Sequence, residues 1–210
     1  MLLKISLESL GDVMYKPIDF NYLIGVKGFS EQLLKNHFQL YQGYVANTNK
    51  LIEVLNTLVR NGRTGTPEYA EAKRRFGWEF CGMRLHEYYF KNIAKDYVEL
   101  DRSSNLYRKI VEDFGSYEEW EKEFKAVGMI RGIGWVILYY DPVANRLFNV
   151  WINEHDVGHL PGCSPILVMD VFEHAYMADY GLKRADYIES FLKVLSWKTV
   201  VERFEKSKTK

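Results

Sequence analysis

From Glu31 to Arg60 the chain has no proline and a single glycine, Gly43. Its apolar residues recur at helical spacing: Leu33, Leu34, Phe38, Tyr41, Tyr44 and Val45, then Leu51, Val54, Leu55 and Leu58. This pattern predicts one long helix, or two broken near Asn47, with Ser30 as the N-cap. The run Asn61-Gly62-Arg63-Thr64-Gly65-Thr66-Pro67 reads as a loop. A second helical region follows from Glu68 to about Ala94, with Gly77 and Gly82 as candidate interruptions. Two such helices joined by a short loop form an antiparallel hairpin.

Further on, the period changes. Trp135-Val136-Ile137-Leu138-Tyr139-Tyr140 is short, apolar and rich in β-formers. Asp141 to Asn145 is a turn, Arg146 to Ile152 the returning strand, and Pro165 to Met169 a third strand that ends at Asp170. Before these strands, Ser116 and Glu119 have capping-box spacing; after them, helical sequence runs to about Glu205. A helical first half and a mixed second half predict an α+β fold. The polar stretch Glu99 to Asn105 is the best boundary. It divides the chain into a helical hairpin domain, 1–100, and a mixed domain, 101–210, with a three-stranded antiparallel sheet and surrounding helices. Residues 12–28 look irregular, and Lys206 to Lys210 read as a frayed tail.

Composition narrows the function. The 210 residues balance 28 Lys and Arg against 28 Asp and Glu. A net charge of zero gives no basis for a nucleic-acid or membrane-surface partner. No stretch approaches the ~18 apolar residues of a membrane span. The start, Met1 to Ser6, lacks a signal-peptide core, so a cytoplasmic protein is expected. Cys81 and Cys163 fit no CxxC pattern, which argues against a zinc thiolate site; they read as small buried residues. Tyrosine, phenylalanine and tryptophan are abundant, at 15, 12 and 5 residues. Aromatics fill cores and interfaces and can wall a metal pocket against water.

The chemistry concentrates in His37, His86, Asp170 and His174. Imidazole and carboxylate together suit iron, manganese or zinc. A helical hairpin could bring His37 and His86 together, and Asp170 stands at a strand end, where a buried unpaired charge would be costly. Composition and spacing alone leave open that the four are unrelated polar residues.

The run Asp170-Val171-Phe172-Glu173-His174-Ala175-Tyr176, followed by Lys183-Arg184-Ala185-Asp186-Tyr187-Ile188, resembles the signature of the iron/manganese superoxide dismutases. The resemblance extends from about residue 20 to residue 205. It includes His37 to Val45 followed by Asn47 and Asn49, Leu85-His86, Phe114-Gly115-Ser116-Tyr117, Gly132-Ile133-Gly134-Trp135, and Trp197 to Phe204. It implies that His37, His86, Asp170 and His174 bind one ion, iron as first choice or manganese. It also implies an oxidoreductase that converts superoxide to oxygen and peroxide. Tyr44 resembles the active-site tyrosine, and Trp135 the tryptophan that walls the pocket. His155 falls where many members carry a glutamine, and Gly82 leaves room for a side chain arriving there from the second domain. Glu173 resembles a glutamate that reaches across a homodimer interface to the partner's ligand histidine; a homotetramer built from such dimers is equally compatible. His159 has no role by resemblance.

Departures accompany the match. His37 and Tyr44 are seven positions apart; the family spacing is one residue longer, with a second histidine between, for which Tyr41 is the nearest substitute. The family's tyrosine three residues after the last ligand is Met177 here, and Phe172 replaces its usual tryptophan. The joint loss of two groups that pair across the dimer implies a rebuilt access funnel. The competing readings are a metal-binding relative with weak activity and a structural or interaction role, and another metal-dependent oxidoreductase on the same scaffold.

Overall fold

The computed structural model describes residues 14–208; the expected leaderless start at Met1 to Ser6, Gly11 and the final residues of the expected tail lie outside them. Helix α1 spans Glu31–Arg60 and α2 spans Pro67–Lys91. Both are unbroken, so neither Asn47 nor the glycines at 77 and 82 interrupts them: packing along the hairpin outweighs the local cost of a helical glycine. Ser30 Oγ accepts the Leu33 N–H at 3.0 Å and caps α1 as expected. At the other end Arg63 N–H reaches Leu58 O at 2.8 Å and Gly62 N–H reaches Val59 O at 3.0 Å. This Schellman closure needs the left-handed backbone of Gly62, with φ of 66°. It turns the chain so that α2 runs back along α1.

Two helices, α3 (Asn105–Phe114) and α4 (Tyr117–Gly128), lead into the sheet. Ser116 Oγ accepts from Glu119 N–H at 3.1 Å, as the capping spacing predicts. Strands β1 (Gly134–Asp141), β2 (Arg146–Asn153) and β3 (Ser164–Asp170) form one antiparallel sheet in the order β2-β1-β3. The central strand is buried along nearly its whole length, because helices cover the sheet. The fold is therefore α+β, as the change of period predicts. The stretch after β3 is less regular than expected. A 3-10 turn at Glu173–Ala175 precedes three short helices, α5 (Met177–Tyr180), α6 (Arg184–Leu192) and α7 (Trp197–Ser207). Lys206 is not frayed as expected: it lies in α7, whose last turn is held by buried Phe204 and Ser207.

The register carries the functional geometry. Trp135 stands opposite Asp170 on one side and Ile152 on the other. One end of the sheet thus gathers the end of β3, the start of β1 and the loop leaving β2. The basic-x-Asp-Tyr segment secures this end. Arg184 donates to Ile130 O and Gly132 O, both at 2.8 Å, and the Tyr187 hydroxyl donates to Asp170 O at 2.6 Å.

Gly134 opens β1 with φ of 152°, and a Cβ there would fall 1.9 Å from Ile152 O. Gly134→Ala is therefore expected to lower unfolding stability by roughly 2–4 kcal/mol. A denaturation midpoint equal to wild type would show that the strand can shift to accept a side chain.

Candidate metal centre

Four elements each deliver one donor group. His37 comes from α1, His86 from α2, Asp170 from the last position of β3, and His174 from the 3-10 turn. Their nearest donor atoms all lie within 4.8 Å of one another. Asp170 Oδ2 is the common point: it stands 3.1 Å from His174 Nε2, 3.2 Å from His37 Nε2 and 3.6 Å from His86 Nε2. Side chains of His37, His86 and Asp170 are fully buried, while His174 keeps 22% of its side chain exposed.

Neighbouring groups fix the direction of each donor. Phe172 N–H donates to Asp170 Oδ1 at 2.8 Å, which leaves Oδ2 to face the imidazoles. Gly82 O accepts from His86 Nδ1 at 2.6 Å. A carbonyl only accepts, so His86 carries its proton on Nδ1 and presents the Nε2 lone pair to the centre.

These residues fit a first-row metal ion. The buried Nε2 atoms of His37 and His86 have no hydrogen-bond partner among the described residues, and buried polar atoms without partners are costly. Metal bonds of about 2.1 Å would satisfy them and place neighbouring donors roughly 3–4 Å apart. Burial pushes both imidazoles below their ordinary pKa, His86 further because His37 adds to the effect. Burial pushes the Asp170 carboxyl up, but His174 and His37 outweigh it and hold the group well below the carboxylate range. Neutral His37 and His86 beside a charged carboxylate are the protonation states a metal requires.

An aromatic and polar ring closes the outer side. Trp135 meets His86 edge-on at 5.0 Å. Its indole N–H donates to His155 Nδ1 at 3.1 Å. An indole N–H only donates, so neutral His155 carries its proton on Nε2, which donates to the Tyr44 hydroxyl oxygen at 2.8 Å. Burial, reinforced by the Asp170 charge, raises the Tyr44 pKa and keeps it a phenol. Phe172 stacks between His155 at 4.7 Å and His174 at 5.1 Å. Gly82 does leave room, but the Tyr44 ring fills it: a Cβ at Gly82 would meet that ring at 2.7 Å.

Other sequence expectations resolve differently. Tyr41 does not stand in for a gateway histidine. It is wholly buried, accepts Ile18 N–H at 3.0 Å and donates to Glu87 at 3.1 Å; a position four residues after His37 faces the core. Met177 and Glu173 are exposed on the outer side of the turn that carries His174. Cys81 and Cys163 are half-buried free thiols. Trp78, which no motif marks, covers the mouth. Its ring lies 4.5 Å from His155 and 5.5 Å from Tyr44. Its N–H is held by Glu154 at 2.9 Å, and Arg75 lies 3.8 Å over its outer face. The Trp78–Glu154 bond joins residues 76 positions apart, so no local pattern could announce it.

Comparison with known proteins gives the family. Residues 102–203 match the model of the iron/manganese superoxide dismutases, C-terminal domain. The chain is 39% identical over 193 residues to a superoxide dismutase [Mn] of Haloarcula marismortui, covering 91% of this chain and 93% of that one. It is 37% identical over 187 residues to a superoxide dismutase [Fe] of Aquifex aeolicus, covering 87% of each. A superoxide dismutase [Fe] of Methanothermobacter thermautotrophicus is 34% identical over 177 residues, covering 83% of this chain and 85% of its own. The chain belongs to the iron/manganese superoxide dismutase family.

Burial lowers the His155 pKa from 6.5 to about 4. Above pH 6.5 the ring is neutral in both folded and unfolded chains. As pH falls from 6.5 towards 4, the unfolded chain binds a proton that the fold refuses, so stability must fall across that window. His37 and His86 act in the same direction. Urea midpoints measured across this range should decline with falling pH, and His155→Gln should flatten part of the slope. An unchanged slope in the variant would mean that burial does not hold this ring neutral.

Proposed function

We propose that the protein converts superoxide to oxygen and hydrogen peroxide with one iron or manganese ion held by His37, His86, Asp170 and His174. The observation that carries the reading is the convergence of three imidazoles and one carboxylate within 4.8 Å, with the buried Nε2 atoms of His37 and His86 left without hydrogen-bond partners among the described residues. The bound ion would supply a one-electron couple that accepts an electron from one superoxide and returns it to the next, which zinc lacks. The chain's own residues do the rest. Phe172 N–H and Gly82 O orient Asp170 and His86. Trp135, Phe172 and Trp78 keep bulk water away. Peroxide formation consumes protons, and Tyr44 with His155 Nε2–H holds protons at the mouth, on atoms 2.8 Å apart.

Iron is the first choice in this reading, on the histidine at 155; the Haloarcula marismortui relative named for manganese supports the other metal. Metal analysis of native protein, with activity after reconstitution with each ion, decides between them. Inhibition of cytochrome c reduction by xanthine and xanthine oxidase tests the activity itself. Inward-facing Tyr41 and exposed Met177 favour one second reading, a metal-binding relative of weak activity; it predicts bound metal with little inhibition. Two domains meeting near residue 100, each supplying two ligands, and residence in the reducing cytoplasm, which free Cys81 and Cys163 suit, complete the proposal.

His86→Ala is expected to lose both metal and activity, since one of four protein donors is gone; full metal occupancy would remove His86 from the ligand set. Tyr44→Phe should retain metal and change the rate, and loss of metal from it would assign Tyr44 to the scaffold.

The reading includes a homodimer, or a dimer of dimers, with Glu173 at the two-fold axis. Glu173 is exposed beside His174, and a partner's ligand histidine N–H is the group it would hold and orient. Glu173→Ala should weaken association and metal retention together. Sedimentation at low micromolar concentration checks this; a fully active monomer in the wild type would sink the shared site.

A further inference from the structure

His155 is held by its ring from two sides, but a ring can be aimed only if the backbone carrying it is fixed. Residues 153–157 form a tight turn beyond β2, with Asn153 N–H on Val157 O at 2.9 Å and Val157 N–H on Asn153 O at 3.3 Å. Glu154, immediately before His155, takes φ of 50°, a left-handed conformation that strains a side-chain-bearing residue. Its carboxylate is tied to Trp78. Gly158 then bends the chain with φ of 104°, and a Cβ there would press to 3.2 Å from Trp151 O. The bend brings His159 back beneath the turn. His159 Nε2 lies 2.9 Å from His155 O, and its Nδ1 lies 2.6 Å from the Tyr139 hydroxyl.

The proton positions follow from donor chemistry. The His155 carbonyl only accepts, so His159 Nε2 carries the proton. With the proton on Nε2, Nδ1 is the acceptor and Tyr139 donates to it. Tyr139 is anchored on β1 opposite Pro165, immediately after a register shift in the β1–β3 pairing. Its hydroxyl has a raised pKa, chiefly from burial, and stays a donor. The chain Tyr139 to His159 to the His155 carbonyl thus runs from the rigid sheet to the backbone of the residue between Trp135 and Tyr44.

We propose that His159, fixed by Tyr139, is a positioning residue that clamps the backbone of His155 and thereby aims its Nε2–H at Tyr44. This rests on the functional reading above only for its kinetic consequence. The test compares His159→Leu, which removes both hydrogen bonds, with His159→Gln, which can restore an N–H donor near the Nε2 position. Crystal structures report the His155 ring, metal analysis the occupancy, and cytochrome c inhibition the rate. In His159→Leu the His155 ring should leave its contacts with Trp135 and Tyr44, and the rate should fall about tenfold with metal content unchanged. His159→Gln should restore the ring and bring the rate within about threefold of wild type. A His155 ring unmoved in His159→Leu, or equal losses in both variants, would overturn the proposal. If His159→Leu does not fold, Tyr139→Phe decides: wild-type ring orientation and rate there would overturn it, while a displaced ring with metal retained supports it. A wild-type protein without dismutase activity would sink the functional reading yet leave the ring orientations to be tested.

Discussion

Asp170 Oδ2 is the point on which the structure converges. A carboxylate buried away from water is strongly disfavoured unless partners compensate it. Asp170 Oδ2 instead faces three imidazoles delivered by α1, α2 and the turn after β3. Phe172 N–H binds the other carboxylate oxygen, Oδ1, and the Tyr187 hydroxyl holds the main-chain carbonyl of Asp170. The hairpin and the sheet are therefore joined through their most polar residues. Three imidazoles and one anion at this spacing leave lone pairs that a cation would satisfy.

The spacing of His37 and Tyr44 follows from the same constraint. Seven residues fall about 20° short of two full helical turns, whereas eight would overshoot by about 80°. With α1 unbroken, the shorter spacing keeps both side chains on the face turned to α2. Tyr44 then packs against Gly82, where any Cβ would displace its ring, and reaches His155. Tyr41 lies on the neighbouring inward stripe and bonds Glu87. The altered motif is thus a coherent geometry in which Tyr44 and His37 stay in phase on a regular helix.

Around this centre the hydrogen bonds have a fixed polarity. Trp135 donates to His155, which donates to Tyr44. His155 serves both neighbours, since an imidazole offers one acceptor and one donor on opposite sides of a planar ring. Trp78 and Phe172 cover the relay with aromatic faces. Local dielectric is low there, which strengthens these bonds and keeps His155 neutral.

The sequence by itself determined the helical hairpin and the three strands, because helical and strand periodicities are local patterns; the set of four ligand candidates came from the resemblance of their motifs. His37 and Tyr44 could be paired from their helical phase, and Ser30 and Ser116 as caps from the residues that follow them. Other features were decided only by the tertiary structure. Whether α1 and α2 break depends on packing that outweighs glycine. Trp78 meets Glu154 across 76 positions, and His159 acquires a role because Gly158 folds it beneath His155. That Tyr41 turns to Glu87 rather than to the mouth depends on which face α2 presents. Local sequence sets the phase of each element, but the contacts between elements arise only when the chain closes and every buried donor and acceptor must find its partner.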